Sequence, residues 1–125
     1  MKITMTSVSV NNPIEAFKFY TEVLGFQQYL YMPEAYLAIV VSPEQPEGTT
    51  LLLEPRGNYG SKEYYDGIYN TGLPVIVMGV DDINAEYEKL KEKGVVFKHP
   101  PKQEPWGIGT IFDDTCGNWI QLAQR

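Results

Sequence analysis

The sequence predicts an α+β domain built from two tandem βαβββ modules, residues 1–54 and 74–125, joined by a connection over 55–73. Three observations carry this reading. A strand-like run followed by a capped helix and three further short strand-like runs occurs once in each half. Ile14 with Ile83, Ala16 with Ala85 and Gly25 with Gly94 share an offset of 69 residues, with one residue gained near the Asn11/Asp81 junction. The 125 residues, 14.2 kDa, suit one compact domain with one core rather than two stacked domains.

Met1 to Val10 is rich in Ile, Thr, Val and Ser and reads as the first strand. Asn12 can cap the helix that follows, Pro13 suits its first turn because an N–H there would lack a partner anyway, and Glu15 can close a capping box. Ile14, Phe17, Val23 and Leu24, with Phe19 and Tyr20 alongside, give it a broad apolar face, and Gly25 is placed to end it in a left-handed cap. Phe26–Tyr31, Ala35–Val41 and Thr49–Glu54 follow as strands, separated by Met32-Pro33-Glu34 and by Ser42 to Gly48. In the second half, Pro74–Val80 is a β-branched strand, Asp81 or Asp82 caps a helix through Leu90, and Gly94 closes it. Val95–His99, Ile108–Asp113 and Trp119–Ala123 supply the last three strands.

The connection carries Tyr59, Tyr64, Tyr65 and Tyr69, and Ser61 is placed to cap a short helix through Glu63 to Asn70. Two readings stand side by side: tyrosines packed over the end of a sheet, or a lid whose rings line a cleft.

Composition excludes several functions. Ten Lys+Arg against 16 Asp+Glu leave a net charge of −6. With no basic cluster, that balance is the wrong sign for phosphates, so neither nucleic acid nor an anionic membrane is an expected partner. Nothing resembles a signal peptide or a membrane span, and a cytoplasmic setting is expected. Cys116 cannot form an internal disulfide, and a single histidine, His99, cannot furnish a multi-histidine metal site.

Val10-Asn11-Asn12-Pro13-Ile14-Glu15-Ala16-Phe17-Lys18-Phe19-Tyr20, continuing to Leu24-Gly25-Phe26, resembles the opening of the vicinal-oxygen-chelate superfamily, which includes glyoxalase I, bleomycin and fosfomycin resistance proteins and extradiol dioxygenases. Val80-Asp81-Asp82-Ile83 and Phe112-Asp113-Asp114-Thr115-Cys116-Gly117-Asn118-Trp119-Ile120-Gln121-Leu122 resemble its second module and final hairpin, although Thr115 and Cys116 replace the middle of the usual Asp-Pro-Asp-Gly. The resemblance implies two curled sheets facing each other in an open cup, and often a homodimer. It also implies four inward metal positions, on strands one, four, five and eight. By spacing these fall at Met5, Glu54, Val75 and Gln121. A thioether and an isopropyl group leave a hard divalent ion one carboxylate and one amide, so no metal or other cofactor is expected, and weak metal dependence is the alternative.

With the strand phase of that family, Met5, Ser7, Ser9, Leu52, Glu54, Val75, Val77, Trp119 and Gln121 point into the cup, and Val8, Val10, Ile76, Met78, Ile120 and Leu122 face the helices. Mixed apolar and polar lining is what a small-molecule site needs. Glu54, among Met, Val and Leu, is the candidate catalytic group: a general base on an acidic C–H, an anchor for a cation, or a glutamate satisfied by Gln121 and water. Trp106 either covers the core or offers a stacking surface, with Tyr31 and Tyr36 as companions. His99, before two prolines, reads as a solvent-touching loop residue with a ligand or catalytic contact as the alternative, and Cys116, without a basic neighbour, as structural rather than a nucleophile. The expected function is metal-independent binding of a small apolar or cationic molecule. The alternative is an enzyme of the lyase, isomerase or dioxygenase type, either metal-free through Glu54 or weakly metal-dependent, and a module without a ligand is the third reading.

Overall fold

Strand β1 (Met5–Val10) pairs in parallel with β4 (Thr50–Pro55), and β3 (Leu37–Val41) and β2 (Gln27–Met32) follow antiparallel, giving the order β1-β4-β3-β2. The second sheet repeats that order with β5 (Pro74–Gly79), β8 (Trp119–Gln124), β7 (Gly107–Asp113) and β6 (Lys102–Glu104). The fold is therefore α+β with two four-stranded mixed sheets. A computed structural model describes all of residues 1–125, which divide into two compact units, Met1–Tyr65 and Asp66–Arg125. Helix α2 (Ser61–Thr71) spans the boundary.

In the first unit, α1 (Pro13–Lys18) starts where its chemistry dictates: the Asn12 carboxamide oxygen accepts from the Ile14 N–H at 2.9 Å and, more distantly, from that of Glu15. The helix then widens into a π-helical turn over Phe19–Val23. The Thr21 hydroxyl donates to the Phe17 carbonyl at 2.7 Å, and the Leu24 N–H reaches back five residues to Phe19. Pro13, Ala16 and Tyr20 are the buried residues of this segment, Tyr20 having been expected on its apolar face, whereas Ile14, Phe17, Val23 and Leu24 are half-buried. Small Ala16 lets α1 lie close on β3 and β4, over Val8, Val10, Val40, Leu51 and Leu53. Gly25, at φ +86°, ends the helix as expected.

Several boundaries differ from expectation. Residues 1–4 precede β1 and are exposed, and the third strand begins at Leu37 because Pro33–Ala35 forms one 3-10 turn closed by Tyr36 at φ 51°. Ser61 is the first residue of α2 rather than its cap, and its hydroxyl accepts from the Gly57 N–H at 3.0 Å.

In the second unit, α3 (Ile83–Glu92) is capped by Asp82, whose carboxylate accepts from the Ala85 N–H, while Gln124 Oε1 accepts from the Ile83 N–H at 2.7 Å. Ile83, Leu90, Val95, Phe112, Ile120 and Leu122 form its core. The largest departure lies at Val95–His99, expected as a strand. Only a bridge forms there, Phe97 with Phe112, flanked by the Lys98 N–H on the Ile111 carbonyl and the Asp113 N–H on the Val96 carbonyl. Pro100 and Pro101 have no N–H to continue the ladder, so pairing restarts beyond them as β6.

Candidate functional site

Period-two alternation separates a helix-covered face from an open face in each sheet. In the first, Val8, Val10, Leu51 and Leu53 are buried, whereas the register sets Ser7 beside Leu52 and Ser9 beside Glu54 on the opposite face. Met5 is 50% exposed there and Ser7 is exposed, while Leu52 and Glu54 are half-buried. Ser9 is buried, and its carbonyl accepts from Arg56 Nη2. The Glu54 carboxylate makes no hydrogen bond or ion pair within its unit. One face of the Tyr31 ring is stacked on Phe17, at 3.9 Å and 5°. Tyr36 is exposed.

The implied metal positions do not fit an ion. Met5 is level with Thr50, and Glu54 lies four residues farther along β4, about 13 Å at roughly 3.3 Å per residue. Val75 offers no lone pair. Nowhere does a group of three or more His, Cys, Asp or Glu side chains lie disposed to hold a metal. A carboxylate and an amide with no third or fourth donor fall short of what zinc or a harder divalent ion requires.

One candidate site lies on the second sheet. Pro74, His99, Glu104, Trp106, Ile111 and Gln121, with backbone of β7, line a concavity of about 170 Å³. Gln121 lies opposite Ile111 in the antiparallel β7–β8 pair and level with Val77 on β5. Trp106 does not cover the core. It remains 41% exposed, and its indole lies across Gly109, where an added methyl group would stand 2.5 Å from Cη2 and 2.9 Å from Cζ2. Only glycine lets the ring lie on β7.

His99, read from sequence as a solvent-touching loop residue or, in the alternative, a ligand contact, is part of this wall. Thr110 Oγ1 donates to the His99 carbonyl, fixing the backbone, and Nδ1 stands 2.8 Å from the Pro100 carbonyl. The prolines that stopped the strand are what turn this histidine onto the concavity. Of the residues expected as ligand contacts in this unit, Trp106 and Gln121 come together here. Val77, 52% exposed, and half-buried Val75 lie on β5 outside the lining.

Trp119 is engaged elsewhere. Its indole stacks on Tyr69 at 5.3 Å and 10°, Lys98 Nζ lies 4.7 Å from the ring centroid, and its N–H donates to the Tyr69 carbonyl at 3.1 Å. The end of α2 is thus pinned to the second sheet, while Tyr59 and Tyr64 are exposed. The Tyr69 hydroxyl donates to Asp113 Oδ2 at 2.7 Å; that bond, then partial burial and the charges of Asp113 and Asp114, push its pKa up to about 12. A raised folded-state value means this contribution to stability is complete below the ordinary tyrosine pKa of 10.0 and is lost as pH climbs through about 12. In urea titrations between pH 9.5 and 12, wild type should lose more stability than Tyr69→Phe; parallel losses would show that the bond is not linked to folding.

The glyoxalase/bleomycin resistance protein/dioxygenase superfamily model matches residues 2–122. The chain belongs to this superfamily. Uncharacterized protein YurT of Bacillus subtilis (strain 168) is 44% identical over 100% of both chains. Among solved structures, UcmS2 is 27% identical with a TM-score of 0.81, covering 98% of this chain and 97% of its own. TnmS3, an antibiotic binding protein from Streptomyces sp. CB03234, is 28% identical with a TM-score of 0.78, covering 99% and 95%. No helix is long and apolar enough to cross a membrane.

Proposed function

We propose that this chain binds a small apolar or cationic molecule without a metal, at the concavity of the second sheet, and that it acts as a twofold homodimer. The observation that carries the reading is Trp106, half-exposed and laid across Gly109 beside His99 and Gln121. A flat apolar wall next to a few polar groups gives both affinity and orientation. The donor chemistry supports it, because Met5, Val75, Glu54 and Gln121 are a poor set for a divalent ion. The similarity to TnmS3, an antibiotic binding protein, agrees with a binding role.

The test is native mass spectrometry and metal analysis of protein purified without chelator, with nickel or zinc added as a control. The expected result is a co-purifying or exchangeable organic mass and no stoichiometric ion. A tightly bound stoichiometric ion would overturn the reading, and light scattering at the 14.2 kDa monomer mass would remove the dimer. A second reading, metal-free proton transfer, is favoured by the half-buried Glu54 that no group of its own unit satisfies. Glu54→Gln separates the two. Turnover abolished with affinity retained supports catalysis, whereas unchanged turnover removes Glu54 from any mechanism.

A further inference from the structure

We infer that His99 selects the ligand of this concavity, and that the preferred ligand is a one- or two-ring aromatic carrying an O–H or N–H donor at its edge and no anionic group. The inference rests on the binding role proposed above and adds the chemistry of the guest.

A backbone carbonyl only accepts, so the Pro100 oxygen 2.8 Å from Nδ1 places the proton of a neutral imidazole on that nitrogen. Nε2 is then an acceptor, and it makes no hydrogen bond within the chain. The other polar groups of the wall point to the same guest. Glu104, half-buried, is a second acceptor, with Lys102 Nζ 3.7 Å from its Oε1. The Thr110 hydroxyl is spent on the His99 carbonyl, which leaves the Gln121 amide and the Trp106 indole N–H as the side-chain donors among the lining groups. A guest with a donor at its rim meets acceptors, and a carboxylate or sulfonate meets the Glu104 charge. The volume, about 170 Å³, is below the roughly 300–1,000 Å³ of pockets that bury a whole drug-sized ligand, so this wall grips a ring system or the ring-bearing end of a larger molecule. Trp106 supplies the flat surface against which that ring lies.

Three probes sharing one ring system isolate the edge group: 2-naphthol, 2-methoxynaphthalene and 2-naphthoate, titrated at neutral pH into the intact protein while the Trp106 indole N–H and Gln121 amide signals are followed by NMR. The naphthol should bind at least about fivefold more tightly than its methyl ether, the loss expected when an acceptor is left unmet at a half-buried site, and the naphthoate should shift neither signal. His99→Leu, which keeps apolar bulk and the backbone carbonyl but removes the acceptor, should bring naphthol and ether within about twofold. His99→Gln, which carries an acceptor oxygen at similar reach, should restore the preference, with spectra outside the concavity reporting that both variants fold. Equal binding of naphthol and ether to wild type, or a preference that survives in His99→Leu, overturns the assignment of His99. Trp106 shifts that are alike for all three probes do so too while leaving the concavity as the ligand site; shifts from none of them overturn both readings.

Discussion

Trp106→Ala should lower the affinity of the second-sheet concavity for a two-ring aromatic by about tenfold or more, roughly 1.4 kcal/mol, because a stacked ring loses both its partner and the apolar area it covers. The same substitution should hardly move the unfolding midpoint. At 41% exposure Trp106 is not part of the core, and truncating so exposed a side chain is expected to change stability by less than about 1 kcal/mol. Gly109→Ala supplies the complementary test with the tryptophan still present. A methyl group 2.5 Å from Cη2 cannot coexist with the indole in its place, so the ring must swing off β7, and binding should fall although no ligand-contacting atom has been deleted. Calorimetry or fluorescence titration of both variants with 2-naphthol reads the effect. Undiminished affinity in Trp106→Ala would move the ligand site elsewhere, and undiminished affinity in Gly109→Ala would mean that the position of the indole is not what the guest requires.

The parts of this molecule that were legible in its sequence are those governed by short-range rules. Asn12 and Asp82 cap helices because a carboxamide or carboxylate next to free N–H groups is a local matter, and Gly25 and Gly94 adopt positive φ, 86° and 89°, for an equally local reason. Period-two alternation placed Val8, Val10, Ile120 and Leu122 on the buried face. Features that depend on two distant segments were not legible in this way. The π-helical turn over Phe19–Val23, where the Thr21 hydroxyl takes the Phe17 carbonyl, has no signal in the apolar spacing. Trp119 read as an open inward ring, yet Tyr69, 50 residues away, stacks on it and accepts its N–H. His99 read as an outlier because the prolines after it end the strand; the signal was present in Pro100-Pro101, which free the Pro100 carbonyl to take Nδ1. Gly109 carries no signal until Trp106 is seen lying across it.

Asp114→Ala should destabilise the chain by about 3 kcal/mol, a loss typical of removing the shared acceptor of several buried donors. The turn between β7 and β8 is organised around this fully buried carboxylate: Oδ1 accepts from the N–H groups of Cys116 (2.7 Å) and Asn118 (3.0 Å), and Oδ2 from Asn118 Nδ2 (3.1 Å). Beside it, Asp113 Oδ1 accepts from the Thr115 N–H at 2.8 Å. Between these bonds Thr115 holds φ 61°, a conformation a β-branched residue adopts only when its surroundings impose it. The two carboxylates therefore hold in this hairpin a turn that the usual proline, replaced here by Thr115, would favour by its fixed backbone angle, while Gly117 keeps its place at φ 96°. Asp114→Asn keeps one acceptor oxygen and should lose about half as much, whereas Asp114→Ala strands three donors in a buried turn. Urea midpoints for the two variants measure the difference, and a loss below about 1 kcal/mol in Asp114→Ala would mean that water or a backbone shift replaces the carboxylate. The consequence reaches the site, since β7 and β8 leave this turn carrying Gly109 and Gln121. A slipped register would move every side chain on one strand to the opposite face, so in the alanine variant binding should weaken even where the fraction folded is restored by cooling or osmolyte.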